Sequence, residues 1–111
     1  MTGGGGRLFH VALVSEWEAA RAVGRYERST RGRSLDEVGF VHLSTADQWP
    51  GVLERFYSGA GELVLLEVDP ARLESPLRWE SVGPEGGELF PHLYGPLPVS
   101  AVVGVRALDP R

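Results

Sequence analysis

The chain has no cysteine and no lysine. Without thiols it cannot build a disulfide scaffold, a thiolate zinc site or a cysteine nucleophile, and a reducing cytoplasm is the compartment that suits it. Without lysine it has no amine for Schiff-base or lysine-nucleophile chemistry. Every basic residue other than histidine is arginine. It also lacks any run approaching the ~20 apolar residues that a membrane-spanning helix needs. No G-x-G-x-x-G follows the first predicted strand and no G-x-x-x-x-G-K-[ST] occurs anywhere, which argues against Rossmann and P-loop nucleotide binding. The stretch Met1-Thr2-Gly3-Gly4-Gly5-Gly6 has no apolar core of the kind a signal peptide requires. It reads as a flexible start, leaving residues 7–111 as a single domain.

What is present is an ordinary globular composition, 111 residues with 42% apolar and 23% charged side chains. The three histidines stand out, each one or two residues after a phenylalanine in a short apolar segment: Phe9-His10-Val11, Phe40-Val41-His42-Leu43-Ser44-Thr45 and Phe90-Pro91-His92-Leu93-Tyr94. Imidazole titrates near neutrality and can donate, accept or ligate metal, so keeping every copy on strand-like segments predicts that they gather at a pocket. The net charge is -4, yet Arg21, Arg25, Arg28, Arg31 and Arg33 lie within thirteen residues that hold one acid, Glu27. Guanidinium forks suit phosphate, so Arg28 and Arg31 are candidates for an anionic ligand, while the acidic remainder excludes an extended nucleic-acid surface.

Residues 7–14 read as a strand ending at Ser15, where Ser15 and Glu18 have the spacing of a capping box for a helix closed by Gly24. Ser34 is placed to cap one helical turn that Gly39 ends. Residues 40–44 read as a strand with Phe40, His42 and Ser44 on one face and Val41 and Leu43 on the core face. Thr45 or Asp47 is the expected cap of a helix whose Trp49, Val52, Leu53, Phe56 and Tyr57 form a buried stripe. Residues 62–68 are a buried central strand, 77–80 a shorter one, and a glycine-rich loop over 83–88 leads to the His92 segment and a last strand near 101–107. Six or seven strands and two main helices, ordered this way, predict an α+β domain with a bent, mainly antiparallel sheet.

Across the chain after Gly6, the strings Trp17-Glu18-Ala19-Ala20, His42-Leu43-Ser44-Thr45 and Phe90-Pro91-His92-Leu93-Tyr94-Gly95-Pro96-Leu97 resemble the small bacterial proteins grouped as DUF952. The resemblance implies the split, bent sheet of the ADP-ribosyltransferase-like fold, distantly similar to RNA 2'-phosphotransferases that use NAD. It implies NAD as cosubstrate, His10, His42 and His92 as catalytic candidates, and Ser44, Thr45, Tyr94 and Glu88 with Arg28 and Arg31 as ligand-binding candidates. His92 stands where many such transferases carry a catalytic Glu, and neither Glu88 nor Glu67 fills that position. Two other functions stay open: a non-catalytic module for a nucleotide or phosphorylated metabolite, and a zinc hydrolase ligated by the three histidines. The oligomeric state is left undetermined.

Overall fold

A computed structural model describes residues 6–81 and 87–109 of the chain. Residues 83–86 of the expected glycine-rich loop and most of the expected flexible start lie outside the described residues. Strand β1 (Leu8–Leu13) runs directly into helix α1 (Val14–Val23), followed by short strands β2 (Arg25–Tyr26), β3 (Arg28–Thr30) and β4 (Arg33–Ser34). A single helical turn, α2 (Leu35–Val38), precedes β5 (Val41–His42) and helix α3 (Trp49–Phe56). Then come β6 (Leu63–Val68), β7 (Leu77–Ser81), β8 (Leu89–Leu93), β9 (Leu97–Pro98) and β10 (Val102–Leu108).

Among the described residues the domain is α+β, every strand ladder is antiparallel, and two three-stranded sheets dominate, ordered β1-β6-β10 and β5-β8-β7. Their joint is a backbone bridge. Phe9 N–H donates to the Ser44 carbonyl at 2.7 Å and Ser44 N–H to the Phe9 carbonyl at 2.8 Å. The expected strand over 40–44 is therefore shorter than predicted, because the chain changes partners within it: His42 pairs with β8 and Ser44 with β1.

Side-chain alternation in β1 and β6 divides the core. Leu8, Ala12, Val64, Leu66 and Val68 face Trp17 and Ala20 of α1, with Val41 and Leu43 in the same cluster, as the sequence predicts. Val11, Leu63 and Leu65 face Val52 and Leu53 of α3. Since β6 is covered on both sides, its sequence is a nearly unbroken apolar run rather than an alternating one.

Helix ends follow the sequence in one case and depart from it in two. Ser34 and Glu37 form a reciprocal capping box on α2, and Gly39 ends it at φ 100°, a left-handed conformation that a Cβ disfavours. In α1, by contrast, Ser15 lies inside the first turn and Leu13 occupies the cap without a side-chain bond. The Val14 amide, the first of the helix, donates to the Glu62 carbonyl at 3.1 Å, and the helix starts one residue before Ser15. In α3 neither Thr45 nor Asp47 caps: Gln48 holds the cap position and its side-chain oxygen accepts from the Thr45 amide at 3.0 Å. Phe56, expected in the buried stripe, is 49% exposed, because α3 ends there and the core is closed by Tyr57. Among the described residues, no helix is long and apolar enough to cross a membrane.

Leu66, fully buried at the centre of β6, sets a clear expectation. Leu66→Ala should lower unfolding free energy by about 2–5 kcal/mol in urea denaturation, while Val105→Ala on the outer strand should stay within about 0.5 kcal/mol.

Candidate functional site

The three histidines divide into two kinds. His10 is on β1, 3% exposed, and both ring nitrogens are engaged. Its Nδ1–H donates to the backbone carbonyl of His42 at 2.7 Å, and its Nε2 accepts from the Tyr26 hydroxyl at 3.1 Å. Burial pushes its pKa down to about 4, with the His42 carbonyl opposing and the His42 ring adding to the shift. A neutral imidazole with both nitrogens bonded inside the protein ties β1 to β5 and β2, whereas the sequence reading names His10 as a catalytic candidate.

His42 and His92 are direct cross-strand partners on β5 and β8, with ring centroids 5.2 Å apart. Burial, and then the neighbouring His92 ring, lower the His42 pKa to about 4. His92 is 2% exposed, and its Nδ1 lies 2.9 Å from Oε1 of Glu80 on β7. The same carboxylate oxygen accepts from the Tyr94 hydroxyl. These two bonds, Tyr94's first, hold Glu80 below the ordinary carboxylate range, and the bond to Glu80 raises the Tyr94 phenol. With a carboxylate as acceptor, the His92 nitrogen that donates is Nδ1.

The Nε2 of His92 is enclosed and has no hydrogen-bond partner among the described residues. Phe40 stacks on the ring, with centroids 3.9 Å apart and planes 15° from parallel, and also meets Tyr94. Arg78, the cross-strand partner of His92 on β7, places its guanidinium 5.4 Å from the Tyr94 ring centroid. A carboxylate held by two side-chain donors is fixed before any ligand arrives, which suits it to face a developing positive charge.

The other candidates stand elsewhere. Ser44 is buried in the joint between the sheets, and Thr45 forms the turn into α3, its carbonyl accepting from the amides of Gln48 and Trp49. Glu88 accepts from the Gln48 side chain at 3.2 Å. Arg28 pairs with Glu16 at 3.3 Å, and Arg31 donates to the carbonyls of Phe56, the last residue of α3, and Ser58. The arginine-rich stretch is thus less free than its local sequence suggests, since Glu16 and Glu18 come alongside from α1. Among the described residues no group of three His, Asp or Glu side chains is placed to hold a metal, and both ring nitrogens of His10 have protein partners.

Glu80, Arg78 and Phe40 are the site residues that sequence reasoning missed. The available signal for Glu80 was strand alternation: two residues beyond Arg78, it shares a face with His92 once β7 and β8 pair.

The chain belongs to the DUF952 family of proteins of unknown function, whose sequence profile matches residues 11–105. It is similar to protein CC0527 from Caulobacter crescentus: the crystal structure is 38% identical with TM-score 0.79, over 93% of this chain and 86% of that one. The solution NMR structure of the same protein is also 38% identical, with TM-score 0.74, over 93% and 84% of the two chains. No curated protein matches the chain.

The two lowered histidines give stability a pH dependence of definite sign. Unfolded imidazoles bind protons near pH 6.5 whereas His10 and His42 hold out to about 4, so the unfolded chain binds more protons between those values. Stability is then full above the unfolded value and is lost as pH falls toward 4, by about 3 kcal/mol for the fully buried His10. Urea midpoints measured between pH 7.5 and 4 should fall steadily on acidification, on the order of one proton less steeply in His10→Gln.

Proposed function

We propose that the face carrying His42, Glu80, His92 and Tyr94 binds the ADP-ribose portion of NAD and cleaves or transfers at its anomeric carbon. The observation that carries this reading is the Glu80 carboxylate, held between Tyr94 and His92, with His42 on the far side of the His92 strand. Loss of nicotinamide builds positive charge on the ribose, and a carboxylate fixed before reaction stabilises that charge without reorganising. Glu80 supplies the acid that is missing from the His92 position, from the adjacent strand rather than the same one.

The remaining groups have matching roles. His92, buried with its Nδ1 on Glu80, holds the carboxylate in place beneath the ligand. Tyr94 and Phe40 offer aromatic walls, and Arg78 is the nearby guanidinium for pyrophosphate, in place of Arg28 and Arg31 with their existing partners. Two three-stranded sheets meeting at the Phe9–Ser44 bridge are compatible with the split sheet of an ADP-ribosyltransferase-like fold. This reading places the protein in the cytoplasm, where NAD is abundant.

One observation favours a non-catalytic nucleotide-binding module as the second reading. His92 Nε2 is closed beneath its neighbours, out of reach of a reacting group. In that case the same face holds a nucleotide without turnover.

Ligand-observed NMR with NAD, followed over hours, separates these readings. Catalysis requires NAD contacts and accumulating nicotinamide, with Glu80→Gln slowing release by at least ~10²-fold while ADP-ribose contacts persist. Contacts without nicotinamide select the binding module; absence of contacts with both NAD and ADP-ribose overturns both.

A further inference from the structure

Trp79 lies between Arg78 and Glu80 on β7, so alternation sends it to the opposite sheet face. Its cross-strand partner is Pro91, whereas Arg78 and Glu80 pair with His92 and Phe90. On that side the start of β1, the turn after Ser44, and β7 enclose a groove of ≈ 610 Å³ lined by Phe9, Thr45, Asp47, Pro70, Leu77 and Trp79 among others. The volume falls within the ~300–1,000 Å³ range of small-ligand sites. Trp79 is 49% exposed, so an indole face is available in it.

The charge in the groove selects its occupant. Its two charged lining residues are Arg7 and Asp47. Arg7 is committed to two carboxylates, Glu67 at 3.4 Å and Asp69 at 3.2 Å. Asp47 has no ion pair or side-chain hydrogen bond among the described residues. Among the described residues the groove therefore joins an apolar, indole-walled floor to one uncommitted negative charge, while the cation lining it, Arg7, is already neutralised. An indole face attracts a cation and accepts a stacked ring, and a carboxylate takes the donors of a planar cationic group in paired hydrogen bonds.

We propose that this groove is a second ligand site, separate from the histidine face, and that it takes a small planar aromatic cation stacked on Trp79 with its charge at Asp47. Neutral rings of the same shape retain the stacking and lose the charge contact. Anionic ones face the Asp47 carboxylate with no free cation to offset it.

Three isosteric probes test the assignment in the full chain: benzamidine, benzamide and benzoate, each titrated while backbone amide and indole N–H signals are followed by NMR. Benzamidine should shift the Trp79 indole and the Thr45 and Ala46 amides, and bind at least about tenfold more tightly than benzamide or benzoate. Asp47→Asn should bring benzamidine to the affinity of benzamide, and Trp79→Ala should weaken both while leaving signal dispersion intact, since both residues are exposed. Equal affinity for the three probes, benzamidine shifts confined to another surface, or no shift at Trp79 with benzamidine at millimolar concentration overturns the proposal.

Discussion

A single buried imidazole ties three parts of this domain together. His10 belongs to β1, donates to the backbone of β5 through the His42 carbonyl, and accepts from Tyr26 on β2. Next to it in sequence, the Phe9–Ser44 bridge pins the same two chain segments by their backbones. With both nitrogens used inside the protein, His10 has one tautomer and one ring orientation that satisfy it, and leaving either partner unpaired in the core costs about 1–3 kcal/mol. The position of β5 relative to the first sheet is set by these contacts. The position of the His42 side chain follows from β5.

From there the second sheet is built by register. With His42 fixed, pairing across to β8 brings His92 opposite it, and pairing of β8 with β7 brings Arg78 opposite His92 and Glu80 within reach of its Nδ1. The carboxylate then orients the histidine and gathers the Tyr94 hydroxyl, so one oxygen anchors two side chains. The same alternation that turns Glu80 toward the histidines turns Trp79 away. One short strand thus furnishes two faces with different chemistry: a polar hydrogen-bonded one carrying Glu80, and an apolar one carrying Trp79.

The fold was legible where periodicity is strong. β6 with its apolar run, the Ser34 capping box with Gly39, and the burial of Val41 and Leu43 all follow from local pattern. The start of α1 was not, because its first amide, that of Val14, is held by the Glu62 carbonyl, 48 residues away in sequence, and spacing carries no trace of that bond. At the site, the approach of His42 and His92 was readable from their shared context. The difference between them and His10 was not, since it depends on Tyr26 and a backbone carbonyl. Glu80 stayed hidden because the register of β7 on β8 cannot be counted across a loop of unspecified shape. The arginine cluster misled for a related reason: its counter-charges sit on α1, adjacent in space and outside the window in which charge was counted.

The division of the histidines is tested most directly by long-range nitrogen NMR of the three imidazoles across pH, with and without ADP-ribose. His10 should show one fixed neutral tautomer protonated on Nδ1, keep it down to about pH 4, and ignore the ligand, while the His42 and His92 nitrogens respond to it. A His10 that titrates near 6.5, or ring nitrogens of His42 and His92 that ADP-ribose leaves unmoved, would contradict that division.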